Sequence, residues 1–214
     1  MELARHERIA LLISLLLLLF ATGYAPKADR LTWLLETIPV FIALPILLLS
    51  YRRFPLTALA YALLWLHALV LIVGGYYTYA EVPLFNWLRD TFELSRNHYD
   101  RLGHFMQGAV PAIIVREILL RKTPLTHNGW LFFIVTGVTL AISACYEFIE
   151  WWTALLTGEA AEAFLATQGD VWDTQWDMFL ALIGAIVSQL LFRRAHDRQL
   201  TVIDATLFLR KVHC

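Results

Sequence analysis

Long apolar segments, separated by short polar stretches, constrain most strongly how this chain can fold. Of its 214 residues, 59% are hydrophobic and 16% are charged. A soluble domain usually contains about 45–50% apolar residues, so this excess is too large for a water-soluble core. A segment of about 20 apolar residues is long enough to cross a bilayer as a helix. The sequence therefore predicts a helical membrane protein.

Six segments of roughly this length predict an all-α, polytopic transmembrane bundle. They cover residues 9–24, 31–49, 56–77, 100–120, 129–152 and 173–192. We treat residues 1–198 as a single integral-membrane domain and residues 199–214 as a cytoplasmic C-terminal tail. A further short helix is expected at the membrane surface around residues 84–94. The net charge is −1, and nothing in the composition indicates nucleic-acid binding.

The distribution of positive charge predicts the orientation, because cytoplasmic loops carry an excess of Lys and Arg. Nine such residues near the span ends fall on one side and four on the other, which places both termini in the cytoplasm. The loop of residues 153–172 contains no Lys or Arg, as expected of an exported loop. The two sets are Arg5, Arg8, Arg52, Arg53, Arg121, Lys122, Arg193, Arg194 and Arg198 inside, and Lys27, Arg30, Arg89 and Arg96 outside.

Acidic residues occupy the outer ends of three spans, where membrane proteins carry few of them. Ionisable groups inside a membrane are costly, so they usually serve a function or pair with one another. Within each helix the spacing is i,i+3 or i,i+4, which puts the paired side chains on one face. The predicted topology directs all of them into one outward-facing pocket. The candidate residues are Asp100, His104, Glu147, Glu150, Asp173 and Asp177.

Carboxylates with one imidazole are suitable ligands for a divalent cation, so all six are candidate metal ligands or catalytic groups. The fourth and sixth spans also begin here, and helix N-termini attract phosphate. We assign Arg101, Gln168 and Asp170 to substrate binding, with Arg101 holding the phosphate. A bound metal would activate water and neutralise developing charge. This hypothesis describes a metal-dependent enzyme or binder that acts on a phosphorylated lipid or cell-envelope intermediate.

Two alternatives stay open. The charges could satisfy each other, with Arg101 paired to Glu147 or Glu150, in a structural or assembly protein. The carboxylates could instead form the relay of an ion-coupled transporter, although a transporter site should lie near the midplane. The sequence also leaves open the oligomeric state, the metal and whether the protein is an enzyme.

A second polar group is predicted near the inner face. Arg116 and Glu117 follow Asp100 by sixteen residues, which corresponds to about 24 Å along a helix. They are too far from the outer pocket to belong to it. We predict that Arg116 is an inner-end charge paired with Glu117 or with a neighbour of Arg121, and that His196 is solvated.

The motifs resemble those of the YjdF-type bacterial inner-membrane family, whose function is unknown. The matching stretches are Asn97-x-Tyr99-Asp100-Arg101-x-x-His104-Phe105, Arg116-Glu117, residues 146–152 and residues 168–178. This resemblance implies a multi-pass protein of the bacterial inner membrane. A fainter similarity to VanZ-like membrane proteins rests on Asp100-Arg101-x-x-His104, on Glu147 with Glu150, and on Asp173-x-x-x-Asp177. It implies a role in the cell envelope.

Overall fold

The computed structural model describes residues 5–158 and 162–212, and this part of the chain is helical with no strand. The all-helical prediction is therefore confirmed. A 3-10 turn, Tyr79–Glu81, lies between the third and fourth helices. The eight α-helices in the described residues are α1 (Arg5–Tyr24), α2 (Arg30–Ser50), α3 (Ala58–Tyr77), α4 (Pro83–Thr91), α5 (Tyr99–Lys122), α6 (Gly129–Thr157), α7 (Glu162–Leu165) and α8 (Asp173–Val212).

Within the described residues, five helices are long and apolar enough to cross a membrane: α1, α2, α3, α6 and α8. Their outer surface is apolar, with Leu17 63%, Phe20 74% and Leu49 81% exposed. Such an apolar surface is favourable in contact with the hydrocarbon core of a bilayer and unfavourable in contact with water. The protein is thus a polytopic helical membrane bundle.

Helix α5 occupies the centre of the bundle, where it packs against α3, α6 and α8. Its 24 residues match the predicted fourth span in length. It carries charged residues near both ends, so its composition is less apolar than that of its neighbours. The predicted set of six spans includes α5, which is not among these five helices.

Small residues allow α5 and α8 to approach closely, as is common between membrane helices. A Cβ atom added to Gly108 would overlap the backbone carbonyl of Ala181, and one added to Gly184 would overlap the carbonyl of Phe105. Ala185, on the same face of α8, is fully buried. This contact fixes the distance between the two helices that carry Asp100, Asp173 and Asp177.

Helix α8 continues beyond the predicted end of the last span and reaches Val212. Leu200 and Ile203 are buried, and the side-chain oxygen of Gln199 accepts a hydrogen bond of 2.9 Å from the backbone N–H of Leu59. The first residues of the predicted tail therefore pack against the beginning of α3.

Helix α4 corresponds to the short helix that we expected at the membrane surface. It begins with Pro83, a residue that is favourable at the first helical position. Leu84 and Trp87 are exposed, at 62% and 59%. An exposed tryptophan and leucine on a short helix fit a location at the membrane boundary.

The predicted orientation can be checked by cysteine labelling. In a variant with Cys145 and Cys214 replaced by Ser, Asp90→Cys on α4 should react with a membrane-impermeant maleimide from outside intact spheroplasts. The side chain of Asp90 is 67% exposed, so access to it is not limiting. Arg53→Cys, in the exposed turn after α2, should react only after the membrane is permeabilised. The reverse pattern would show that the orientation is wrong.

Candidate functional site

The predicted acidic residues meet at the end of the bundle where α5 and α8 begin and α6 ends; we call this the acidic end. His104 lies at its centre. Its Nε2 atom is 3.4 Å from Oδ1 of Asp100 and 3.8 Å from Oδ2 of Asp177. Its Nδ1 atom is 3.7 Å from Oε1 of Glu147 and hydrogen-bonds to the side-chain oxygen of Gln107 at 2.8 Å. Three helices thus supply carboxylates to one imidazole.

Asp100, His104 and Asp177 have the spacing that a metal ion requires. One ligand atom from each lies within 4.8 Å of the others, and all three residues are buried. Bonds of about 2.0–2.6 Å from a single cation can reach ligand atoms separated by such distances. Glu147, 6% exposed, stands on the other side of the same imidazole. These four side chains form the compact part of the site.

Asp173 has a different partner, which the sequence did not reveal. Arg96 precedes α5, is 5% exposed and forms a short ion pair with Asp173. Its guanidinium also lies 3.3 Å from Asp100 and 3.5 Å from Asp170, and it donates a hydrogen bond of 3.0 Å to the backbone carbonyl of Ala166. Arg96 is therefore the buried cation that joins the beginnings of α5 and α8.

The charge of Arg96 is stabilised by its surroundings. Burial disfavours a guanidinium cation, but the hydrogen bond and attraction from Asp173, together with the charges of Asp100 and Asp177, raise the pKa of Arg96. The backbone N–H of Trp172 and the charges of two arginines lower the pKa of Asp170. Arg96 and Asp170 thus both remain ionised.

Arg101 also belongs to this charged group. Its guanidinium lies 2.8 Å from Asp170 and 5.1 Å from the ring centre of Trp176. The alternative pairing of Arg101 with Glu147 or Glu150 is not found among the described residues. Arg101 pairs instead with Asp170, in the loop before α8.

Gln168, predicted to bind substrate, holds the two loops of the site together. Its side chain accepts a hydrogen bond from the backbone N–H of Asn97 and donates one to the backbone carbonyl of the same residue, each 2.9 Å long. The buried side chain of Asn97 in turn bonds to Val82, Asn86 and Tyr99. These bonds position Arg96 beside the acidic residues.

Glu36 is a second residue that the sequence analysis missed. It lies on α2, is 2% exposed, and is close enough to Glu150, Asp100 and His104 to interact with their charges. Helix α3 approaches it closely at Gly75, where an added Cβ would lie 3.1 Å from Cβ of Glu36. The signal was present, because a single carboxylate inside an apolar span is usually functional or paired.

The acidic end contains more negative than positive charge. In the part of the chain that the structure describes, seven carboxylates face two guanidinium groups and one imidazole, so four lack a cation even if His104 is protonated. In addition, Oε1 of Glu36, Oε1 of Glu147 and Oδ1 of Asp177 are buried and have no hydrogen-bond partner among the residues that the structure describes. The carboxylates are Glu36, Asp100, Glu147, Glu150, Asp170, Asp173 and Asp177.

A separate polar network lies at the opposite end of α5 and α8. Glu117 is fully buried and accepts hydrogen bonds from the hydroxyl of Thr57 and from Arg121, both 2.8 Å long. His196 lies 3.1 Å from Glu117 and 2.9 Å from Arg116. The prediction that His196 is solvated is wrong, because it bridges these two residues and is fully buried.

Arg116 likewise has another partner than the one predicted. Its guanidinium forms an ion pair of 2.7 Å with Asp197, one residue beyond His196 on α8. Glu117 pairs instead with Arg121, four residues further along α5, at 2.8 Å. Side chains four residues apart on a helix lie on the same face, whereas consecutive ones do not.

Fold and site together define a multi-pass helical membrane protein with a cluster of buried acidic side chains at one end. The chain belongs to the family described as "Predicted membrane protein (DUF2238)", whose model matches residues 8–198. It is also 52% identical over 188 residues to the inner membrane protein YjdF of Escherichia coli (strain K12), covering 88% of this chain and 90% of that protein. No solved structure matches.

These comparisons confirm the YjdF-type resemblance and the assignment to the inner membrane. The family match includes all three acidic stretches. The comparisons do not show the similarity to VanZ-like proteins.

Proposed function

We propose that this protein binds a divalent cation at its acidic end, with Asp100, His104 and Asp177 as the central ligands and Glu147 beside them. The observation that supports this most is the set of buried carboxylate oxygens without partners. Oδ1 of Asp177 and Oε1 of Glu147 both lie in residues that contact the same imidazole. An unpaired buried carboxylate is costly, and a cation among these groups would remove that cost.

The ligand types narrow the class of cation. Three carboxylates with one imidazole form a mixed oxygen and nitrogen set. Ca²⁺ and Mg²⁺ prefer oxygen ligands alone, whereas Mn²⁺, Fe²⁺ and Zn²⁺ accept imidazole together with carboxylate. We therefore favour a transition metal or zinc. Such an ion, when bound, neutralises negative charge and acidifies a bound water.

The remaining acidic residues divide between structure and binding. Asp170 and Asp173 have arginine partners, which supports a structural role for them as links between the loop of Arg96 and the beginning of α8. Glu36 has no arginine partner within the described part of the chain, and it interacts electrostatically with His104. We place Glu36 with the cation-binding group, at the side contributed by α2.

A phosphorylated lipid as the molecule acted upon stays a prediction. Helices α5 and α8 both begin at the acidic end, and helix N-termini attract anions. Arg101, however, is held by Asp170 at 2.8 Å, so it would have to leave this partner to bind a phosphate. The proposal is therefore limited to cation binding.

Metal analysis of the purified protein tests the proposal. After removal of metals with a chelator, wild-type protein should rebind Mn²⁺ or Zn²⁺ in about one equivalent. Asp177→Asn should weaken this affinity at least about tenfold, which corresponds to about 1.4 kcal/mol, because it removes a charged ligand while preserving shape.

The matched control is Asp90→Asn, which removes a carboxylate from an exposed position on α4. It should bind metal as the wild type does. A wild-type protein that rebinds none of Mn²⁺, Fe²⁺ or Zn²⁺ would contradict the proposal. Equal loss in both variants would show that the metal binds elsewhere.

A further inference from the structure

A cavity lies at the end of the bundle opposite the acidic end, between the beginning of α6 and α8. Its volume is about 560 Å³. Its polar wall contains three arginines and a histidine, and its apolar wall comes from the first turn of α6. We call it the basic pocket and define its polar wall as Arg116, His127, Asn128, Arg193, Arg194 and Asp197.

The pocket carries an excess of positive charge. Asp197, the carboxylate of its polar wall, forms an ion pair of 2.7 Å with Arg116 and lies 3.1 Å from His127. Arg193 and Arg194 line the same cavity and are exposed. Neither forms an ion pair within the described part of the chain. Two guanidinium groups therefore remain available to an anion.

The backbone at the beginning of α6 also favours binding of an anion in this pocket. Asn128 caps the helix by accepting a hydrogen bond of 3.1 Å from the backbone N–H of Leu131. Gly129 lines the cavity, and an added Cβ there would meet nothing within 4 Å. A ligand can thus approach the first turn of this 29-residue helix, whose end carries partial positive charge.

The apolar side of the pocket indicates that the anionic group belongs to a ligand with an apolar portion. Leu131 and Phe132 line the cavity, and Trp130 and Phe133 on the same turn are 68% and 67% exposed. Tryptophan is favoured at the boundary between membrane and water. A ligand with its charge at Arg193 and Arg194 would therefore lay an apolar portion along α6. An anionic lipid has this distribution of charge and apolar surface.

We propose that the basic pocket binds the phosphate of an anionic phospholipid, with the headgroup between Arg193, Arg194 and the beginning of α6. Basic pockets between membrane helices on the cytoplasmic side are suited to such headgroups. The predicted orientation places this end in the cytoplasm. The proposal does not depend on cation binding, because the two sites lie at opposite ends of α5 and α8.

Lipid titration of the purified protein, monitored by native mass spectrometry, tests this proposal. The probes are phosphatidylglycerol and phosphatidylcholine of equal chain length, with chelator present so that the acidic end is metal-free. Wild-type protein should bind phosphatidylglycerol at least tenfold more tightly than phosphatidylcholine. The double variant Arg193→Gln/Arg194→Gln should lose this preference.

The control is Arg53→Gln/Arg198→Gln, which removes two exposed arginines that do not line the pocket. It should keep the preference. Equal loss of the lipid preference in both double variants would show that it depends only on net charge, and this would overturn the proposal. Equal binding of the two lipids by the wild-type protein would also overturn it. Inorganic phosphate, added in place of lipid, tests whether the pocket binds free phosphate. If phosphate stabilises the protein in a way that depends on Arg193 and Arg194, and phosphatidylglycerol is not preferred, the pocket is a site for free phosphate and the lipid assignment is overturned.

Discussion

Replacing Arg96 by Leu is expected to lower the free energy of unfolding by roughly 3–5 kcal/mol, the usual cost of removing one partner from a buried ion pair. Arg96 is 5% exposed and contacts Asp100, Asp170 and Asp173. Without it, Asp100 and Asp173 would be left buried and negatively charged. Thermal unfolding in detergent, followed by circular dichroism, measures the loss.

Arg89→Leu is the matched control. Arg89 lies on the same side of the bundle, but its side chain is 33% exposed and pairs with an Asp90 that is 67% exposed. Exposed pairs contribute about 0–1 kcal/mol, so this variant should be close to wild type. Arg96→Lys should fall between the two, because an ammonium group keeps the charge without the planar geometry that reaches several partners. Similar small losses in the Leu variants would refute the central role of Arg96.

Asparagine substitutions at Asp173 and Asp177 are expected to change the stability of the metal-free protein in opposite directions. Asp173→Asn removes the charge that pairs with Arg96, and we expect a loss of about 1–3 kcal/mol. Asp177 has no arginine partner among the described residues. Its Oδ2 atom lies 3.8 Å from Nε2 of His104, while the carboxylates of Asp100, Asp173 and Glu147 oppose its charge. Asp177→Asn therefore relieves repulsion, and we expect a gain of about 1 kcal/mol.

The two variants should be unfolded in parallel with chelator present, so that metal binding does not contribute. The difference in sign is the informative result, since both substitutions preserve shape and lie four residues apart on α8. Destabilisation by Asp177→Asn as large as that by Asp173→Asn would mean that Asp177 also locks the bundle. The structural alternative would then apply to the whole acidic end.

The helical architecture and the convergence of the site were accessible to sequence reasoning. The apolar segments end beside Asp100, Glu147 and Asp173, and alternating span direction brings those ends to one side of the membrane. That reasoning needs only span length and helix periodicity. It located the carboxylates around His104 without any information about packing.

The partners of these residues were not accessible in the same way. Arg96 lies in a loop, and its sequence position identified it only as a charge on one side of the membrane. Its burial results from bonds that Asn97 and Gln168 form across 71 residues of sequence. Glu36 is contributed by a helix whose rotation is set by packing. Such contacts depend on the tertiary structure and have no local sequence pattern.

The close contact of α5 and α8 has an electrical consequence. Between the acidic end and the network around Glu117, the facing side chains include Ala112 and Ala185, which are fully buried, and the backbones touch at Gly108. At this layer the backbones leave no room for a side chain, so we expect a membrane potential to fall mainly across it. Moving one charge through such a field costs about 2.3 kcal/mol per 100 mV. A cation that reaches His104 from the adjacent aqueous phase stops before this layer, so its occupancy should follow ion concentration and be nearly independent of voltage.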